Sequence, residues 1–235
     1  MVHDYLDLAD RLERAYSPRI ALRRIALADG WPLFEATRNP HFNKFLMWDA
    51  PANEDEVLVR IDAIVEAARR GRLAALSGVA RATGEWASLF RFQPYGADPA
   101  VMEMGVWTHP RFWQGRFTLE LSRMCVDACF ASSPVDRLVG AAAPENAGSC
   151  QLMRAVGLRE IELVTRRTES GHCVELQEFE ILRADWEALG ERRAEAPSHR
   201  RVPTAAEAAA ARAEADLALR RAARDDADEA IDLAD

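Results

Sequence analysis

The chain has 235 residues, 49% of them hydrophobic, and a formal net charge of −8. That length suits one domain with a substantial core plus an appendage. An acidic chain without a basic cluster argues against nucleic acid as the main partner, and no apolar run is long enough to span a bilayer.

The N-terminus, MVHDYLDLADRLERAY, has neither the basic segment nor the apolar run of a signal peptide, so the expected location is the cytoplasm. Residues His3 to Tyr16 read as a short amphipathic helix with Leu6, Leu8 or Ala9, Leu12 and Tyr16 inward. Arg19 to Ala26 alternates and reads as a first strand. Asp29 is the expected N-cap of a helix from Trp31 to Thr37, with Pro32 in its first turn and Asn39-Pro40 as its stop. His41 to Pro51 carries Phe42, Phe45, Leu46, Met47 and Trp48, which read either as core or as an apolar wall of a binding site. Asn53 caps a second helix, Glu54 to Arg70, ended by Gly71. Leu73 to Arg81 and Trp86 to Gln93 read as antiparallel strands around the turn Ala82-Thr83-Gly84-Glu85.

The stretch that follows organises the rest. Val101, Glu103, Gly105 and Trp107 alternate with Met102, Met104 and Val106, the period of a strand. Pro110 breaks it, and a loop with Gly115 follows. Phe117, Leu121, Met124, Cys125, Ala128 and Cys129 then recur at helical spacing. A helix start directly after a strand presents unpaired N–H groups and a positive dipole end, a place to hold phosphate.

Arg137 to Ala142 reads as another strand, and Asn146 to Val156 as a helix with Gly157 at its C′ position. Leu158 to Thr168 and Cys173 to Arg183 form a final hairpin. Trp186 and Leu189 finish a docked turn, and Gly190 to Pro203 reads as a linker. Thr204 to Arg224 is an alanine-rich helix with Glu207 as capping-box partner, and Asp225 to Asp235 is acidic. The segment from Asp185 onward carries thirteen acids and eight arginines, so much of the net charge resides there. Cys125, Cys129, Cys150 and Cys173 lack ligand spacing and read as buried reduced thiols, with no metal expected.

Two motifs carry a resemblance. Glu103-Met104-Gly105-Val106-Trp107-Thr108-His109-Pro110, the segment Trp113 to Leu121 and Ala128-Cys129-Phe130 resemble "ELGYWLHP", "WGQGYATEA" and "YAF" of the GNAT superfamily of acyl-CoA-dependent N-acetyltransferases, in its RimJ/RimL-like branch. Pro144-Glu145-Asn146, Ser149, Leu152, Gly157 and Leu158 resemble its "PENxxSxxLxxxxGF". The resemblance implies an α/β (α+β) GNAT fold, a mixed sheet of about seven strands flanked by helices. The implied organisation is an N-terminal helix over residues 1–16, the acetyltransferase domain over 17–184 and a linker with a helical, acidic extension over 185–235. It implies acetyl-CoA as co-substrate and a primary amine, on a protein N-terminus or a small molecule, as acceptor. Oligomeric state stays open, a homodimer being common among such domains.

Residue roles follow from the resemblance position by position. Val106, Trp107 and Thr108 would hold the pantetheine arm and polarise the thioester. Trp113, Gln114, Gly115, Arg116, Phe117 and Thr118 form the phosphate loop, and Asn146 would bond the cofactor arm. Glu103 is the implied general base; the alternatives are a solvent-facing strand glutamate or an ion pair with Arg91. Ser149 is the implied donor to the leaving thiolate, although Asn146 and Ser149 also make a helix-capping pattern. His109 and His172 read as turn or surface residues. The loop departs from the family where glycine or alanine is usual, since Arg116 and Thr118 stand there and Gly115 is shifted by one place. Arg116 either supplies a cation to phosphate or obstructs close backbone approach. The second outcome would give a non-catalytic GNAT-like interaction module, and a third reading makes the alanine-rich tail an oligomerisation element.

Overall fold

The computed structural model describes residues 4–195, with side chains described through 190. Helix α1 (Tyr5–Arg14) precedes strand β1 (Ile20–Arg24). A 3₁₀ turn (Leu27–Asp29) leads into α2 (Gly30–Thr37), α3 (Pro40–Asn43) and α4 (Glu54–Arg69). Strands β2 (Ala74–Ala80), β3 (Trp86–Pro94) and β4 (Val101–Thr108) follow, then a 3₁₀ turn (Pro110–Phe112) and α5 (Phe117–Ser132). The chain continues through β5 (Arg137–Ala142), α6 (Ala147–Val156), β6 (Arg159–Arg167), β7 (Cys173–Leu182) and α7 (Arg183–Glu195).

The strands form one sheet in the order β1-β2-β3-β4-β5-β7-β6. Each neighbouring pair is antiparallel except β4 and β5, which are parallel and therefore need a crossover, supplied by α5. Helices α1, α5 and α6 bury their apolar stripes on one face, around Leu12, Phe90, Phe92, Leu121, Cys125 and Phe130. Helices α2 and α4 cover the other with Leu33, Val57 and Ile61 against Trp86 and Leu89.

Local signals explain several element ends. Asp4, Asn53 and Asn146 accept hydrogen bonds from first-turn N–H groups of α1, α4 and α6. Gly157 ends α6 in the left-handed conformation. Elsewhere the structure corrects the sequence expectation. Tyr5, Leu8, Ala9 and Leu12 form the buried stripe of α1, while Leu6 is 42% and Tyr16 77% exposed. The stripe keeps helical period, and the helix stops before Tyr16 can join it. Burying Leu8 and Leu12 contributes roughly 2 kcal/mol each, enough to hold so short a helix on the sheet.

Asp29 does not cap α2. Its buried carboxylate accepts instead from the Ala26 N–H, Ser77 Oγ and the Arg23 guanidinium, pinning the β1–α2 connection to β2. Asn39-Pro40 does more than stop α2: Asn39 caps α3, for which Pro40 is the first residue. At the C-terminal end, α7 runs through Gly190 to Glu195, where a linker is expected. Trp186 stacks on Phe130 and its Nε1 donates to Asp127, and Leu189 packs on the same core, so one compact unit extends to Glu191. The expected helix from Thr204 and the acidic end lie outside the described residues. Cys125, Cys129 and Cys150 are buried free thiols, but Cys173 is exposed, because it opens β7 at the hairpin tip.

Candidate active site

Strands β4 and β5 pair only over Val101–Arg137, Met102–Leu138 and Glu103–Val139. Beyond Glu103, β4 stays paired with β3 and β5 with β7, so the two strands splay and open a cleft. The His109 N–H donates to the Ala87 carbonyl, which marks that opposed pair as hydrogen-bonded. Alternation along an antiparallel ladder then turns the main-chain groups of Gly105 and Trp107 toward β3, and those of Val106 and Thr108 toward the cleft. The Thr108 carbonyl fits this direction, since it accepts from Trp113 Nε1 at 2.8 Å. Of the three β4 residues expected to meet the pantetheine arm, Val106 and Thr108 offer backbone groups, and Trp107 offers a side chain on the opposite face.

The cleft, of about 1410 Å³, brings together Glu103, Val106, Trp107, Thr108, Trp113, Gln114, Gly115, Arg116, Thr118, Asn146 and Ser149. Phe117 is the exception: its side chain is buried and packs on Phe112 within the core, leaving only its backbone to the loop.

Gly115 and Arg116 are both left-handed, with φ of +77° and +63°. Arg116 is the only non-glycine residue with positive φ among those described. It therefore adopts the backbone that glycine would favour at this position, at a cost of about 1–2 kcal/mol. It sits at the N-cap of α5 but makes no side-chain cap bond, unlike Asp4, Asn53 and Asn146 at their helices. The first-turn N–H groups of α5 are thus left for another acceptor, beside an exposed guanidinium.

The loop is braced from both sides. Thr118 Oγ1 donates to Thr108 Oγ1 at 3.1 Å, tying α5 to the end of β4. Arg19 Nη1 donates to the Gly115 carbonyl at 2.7 Å, and Arg19 Nε to Glu120 at 2.7 Å. Ser17, itself buried, also donates to Glu120. Burial works against the Glu120 charge, but the hydrogen bonds from Ser17 and Arg19 outweigh it and hold this carboxyl below its ordinary value. A depressed folded-state value contributes stability in full above the ordinary carboxylate range, and that contribution is lost as pH falls through the depressed value. Glu120→Gln is therefore expected to lower stability by about 1 kcal/mol at pH 7, with wild type and variant converging as acid protonates Glu120. Urea midpoints across the acid range check this; a constant gap at all pH values would contradict it.

Glu103 does not pair with Arg91. Its Oε1 takes Arg166 Nη1 at 2.6 Å, and its Oε2 takes Gln93 Nε2 at 2.6 Å. Arg166 also donates to Glu178 at 2.7 Å, which accepts in turn from Tyr95 Oη. Burial opposes the charge on Arg166, but Glu103 and Glu178 outweigh it and raise its value above the ordinary. Arg166 lies on β6 and Glu103 on β4, so this contact depends on sheet order and left no mark in the local pattern.

Asn146 caps α6 by accepting from the Ser149 N–H at 3.1 Å, while Ser149 Oγ lines the cleft without a partner among the described residues. His109 Nδ1 accepts from the Arg111 N–H, and His172 Nδ1 meets Ser170 Oγ, both turn contacts. Burial, aided by Arg111, lowers His109 from its ordinary value. Phe42 and Trp48 are buried and line the cleft as well, so the two readings of the aromatic segment are compatible. The hairpin tip closes on that segment: the Glu169 N–H donates to the Met47 carbonyl, and Arg60 holds the Glu169 carboxylate with two bonds. Among the described residues, no group of three or more His, Cys, Asp or Glu side chains could hold a metal ion.

Comparison with known proteins agrees with this architecture. Among solved structures, RimL, a ribosomal alpha-N-protein acetyltransferase in complex with coenzyme A, is 12% identical and superposes with a TM-score of 0.61, over 71% of this chain and 95% of that one. Mycobacterium smegmatis RimJ in complex with CoA-disulfide is 19% identical, with a TM-score of 0.60, over 73% and 89%. The microcin self-immunity acetyltransferase MccE, in complex with acetyl-CoA and AMP, is 14% identical, with a TM-score of 0.63, over 71% and 93%. At such identities these likenesses establish the fold alone. No curated protein matches the chain significantly. The family description "Acetyltransferase (GNAT) domain" matches residues 19–159, more than half of the chain and all of it from β1 to the start of β6. The chain therefore belongs to the GNAT acetyltransferase family.

Proposed function

We propose that the protein transfers the acetyl group of acetyl-CoA to a primary amine by direct attack on the thioester. The observation that carries this reading is the splayed β4–β5 pair opening beside the uncapped start of α5. The first offers the backbone groups of Val106 and the Thr108 N–H to an extended ligand arm. The second offers N–H donors, a dipole end and Arg116 to phosphate groups. Both fit the two ends of acetyl-CoA.

In this reading the Val106 N–H or Thr108 N–H polarises the thioester carbonyl as negative charge builds on its oxygen. Glu103, on the opposite face of β4, takes the proton of the incoming amine directly or through water. Asn146 bonds the cofactor arm with the side-chain capacity that its capping bond leaves over, and Ser149 Oγ donates to the departing thiolate. The aromatic segment around Phe42 and Trp48, with the hairpin tip, forms the acceptor wall.

Titration of the purified protein with acetyl-CoA tests the first half, and release of free CoA thiol in the presence of primary amines the second. Micromolar binding and amine-dependent thiol release are expected. Absence of any heat of binding would overturn the reading and leave a GNAT-shaped interaction module.

A further inference from the structure

Five arginines line the cleft: Arg60, Arg91, Arg116, Arg166 and Arg167. Arg60 is held by Glu169, Arg166 by Glu103 and Glu178, and Arg167 by the Gly171 carbonyl. The guanidinium groups of Arg91 and Arg116 make no hydrogen bond or ion pair among the described residues. Arg116 belongs to the phosphate loop. Arg91 stands on β3, opposite Gly105, on the face of β4 that carries Glu103 and Trp107.

Several features build a site around Arg91. Its guanidinium lies over the Trp107 ring, 5.5 Å from the centroid. Its side chain crosses Gly105, where an added Cβ would stand 3.3 Å from Nε, so the bare backbone leaves room for it. Burial lowers Arg91 from its ordinary value; the charge of Glu103 counters this and that of Arg60 adds to it. Glu103 acts only at a distance, because both its oxygens are bonded elsewhere. Next to this cation, the Trp48 ring lies 5.7 Å from Trp107, and its buried Nε1–H has no acceptor among the described residues. The unpaired guanidinium on this wall calls for a ligand group that only accepts.

We infer that Arg91 binds a carboxylate on the acceptor, and that the acceptor is a small amino acid-like amine with an apolar side chain. This rests on the proposed acetyl transfer and narrows its substrate. A carboxylate matches the planar guanidinium fork. A single negative charge suits a wall where Glu56, Glu103 and Glu169 already line the cleft, and a phosphate dianion would meet more repulsion. Gly105 and Glu103 are two residues apart on one face of β4, so the backbone positions of Arg91 and Glu103 are offset by about 7 Å along the strand. An amine and a carboxylate on one carbon span that offset once a hydrogen bond is added at each end. Phe42, Phe45 and Trp48 supply the apolar surface for the side chain.

The test compares L-leucine, L-methionine, L-phenylalanine and L-tryptophan with their carboxamides, and with tetrapeptide amides that have a free N-terminus. Wild type and Arg91→Gln are assayed for CoA thiol release. The wild type is expected to favour at least one free acid over its amide by about 10- to 100-fold in kcat/KM. Arg91→Gln is expected to erase that preference by slowing the acid, with the amide little changed, and Arg91→Lys to restore part of it. Affinity for acetyl-CoA, measured by titration, reports whether each variant is intact. Equal use of acid and amide, faster use of the peptide amides, or equal slowing of all acceptors by Arg91→Gln overturns the inference. So does an absence of turnover across the whole panel while acetyl-CoA still binds. Failure of acetyl-CoA to bind the wild type would overturn the proposed acetyl transfer itself.

Discussion

Arg116→Glu is expected to weaken acetyl-CoA binding about 100-fold, and Arg116→Gly about 10-fold, at low ionic strength. The glycine variant should also be more stable than wild type, by about 1 kcal/mol. The two signs come from two properties of one residue. The backbone of Arg116 is left-handed, which an L side chain tolerates poorly and glycine does not resist. Its guanidinium is exposed at the start of α5, beside N–H groups that no side chain caps. A cation there reinforces the helix dipole toward phosphate, and glutamate would replace attraction by repulsion. Salt should shrink both losses, because an exposed charge is screened over about 10 Å at 0.1 M. Titration calorimetry with urea unfolding of the same proteins reads both effects. Tighter binding by Arg116→Gly would show that the arginine obstructs the loop, as its departure from the family pattern also allows.

The parts of this fold that were legible in the sequence are those specified locally. The alternation from Val101 to Trp107, the break at Pro110 and the helical spacing from Phe117 mark β4, the loop and α5 within a residue or two. Asn146 and Gly157 bracket α6 because capping is a matter of adjacent residues. Choices set by distant partners were not legible. Asp29 looks like a cap in isolation, and only the approach of β2 shows that Ser77 claims its carboxylate. Tyr5, rather than Leu6, turns inward because the sheet fixes the rotation of α1. The docking of Trp186 and Leu189 is expected, but the continuation of α7 through Gly190, where a linker is expected, is not. The site divides the same way. Its β4, loop and α6 residues lie in continuous motifs, whereas the Arg166–Glu103 pair joins positions 63 apart, through a sheet order that runs β4-β5-β7-β6. The isolation of Arg91 is a property of its neighbours' other commitments and has no sequence signature.

Glu103→Gln is expected to reduce kcat about 10²- to 10³-fold near neutral pH, with acetyl-CoA affinity nearly unchanged. The substitution keeps the shape of the side chain and an oxygen for Arg166, but removes the capacity to take a proton. A primary amine reaches the site mostly protonated at neutral pH, and attack requires the neutral form. Loss of a general base should therefore hurt most where protonated amine dominates, and the deficit should narrow as pH rises. The ion pair with Arg166 offers a competing role, in which Glu103 only neutralises a half-buried cation and fixes β6 against β4. That role predicts a different outcome. Arg166 would keep Glu178, stability would fall modestly, and any loss of kcat would be small and independent of pH. Arg166→Gln separates the roles further, since it breaks the pair and leaves the carboxylate in place. A proton-accepting Glu103 keeps most of its rate in that variant, whereas a structural Glu103 loses as much as in Glu103→Gln. Parallel pH–rate profiles for wild type and Glu103→Gln, offset by less than threefold, would assign the carboxylate to the framework and move the search for the base to a water held at the opened edge of β4.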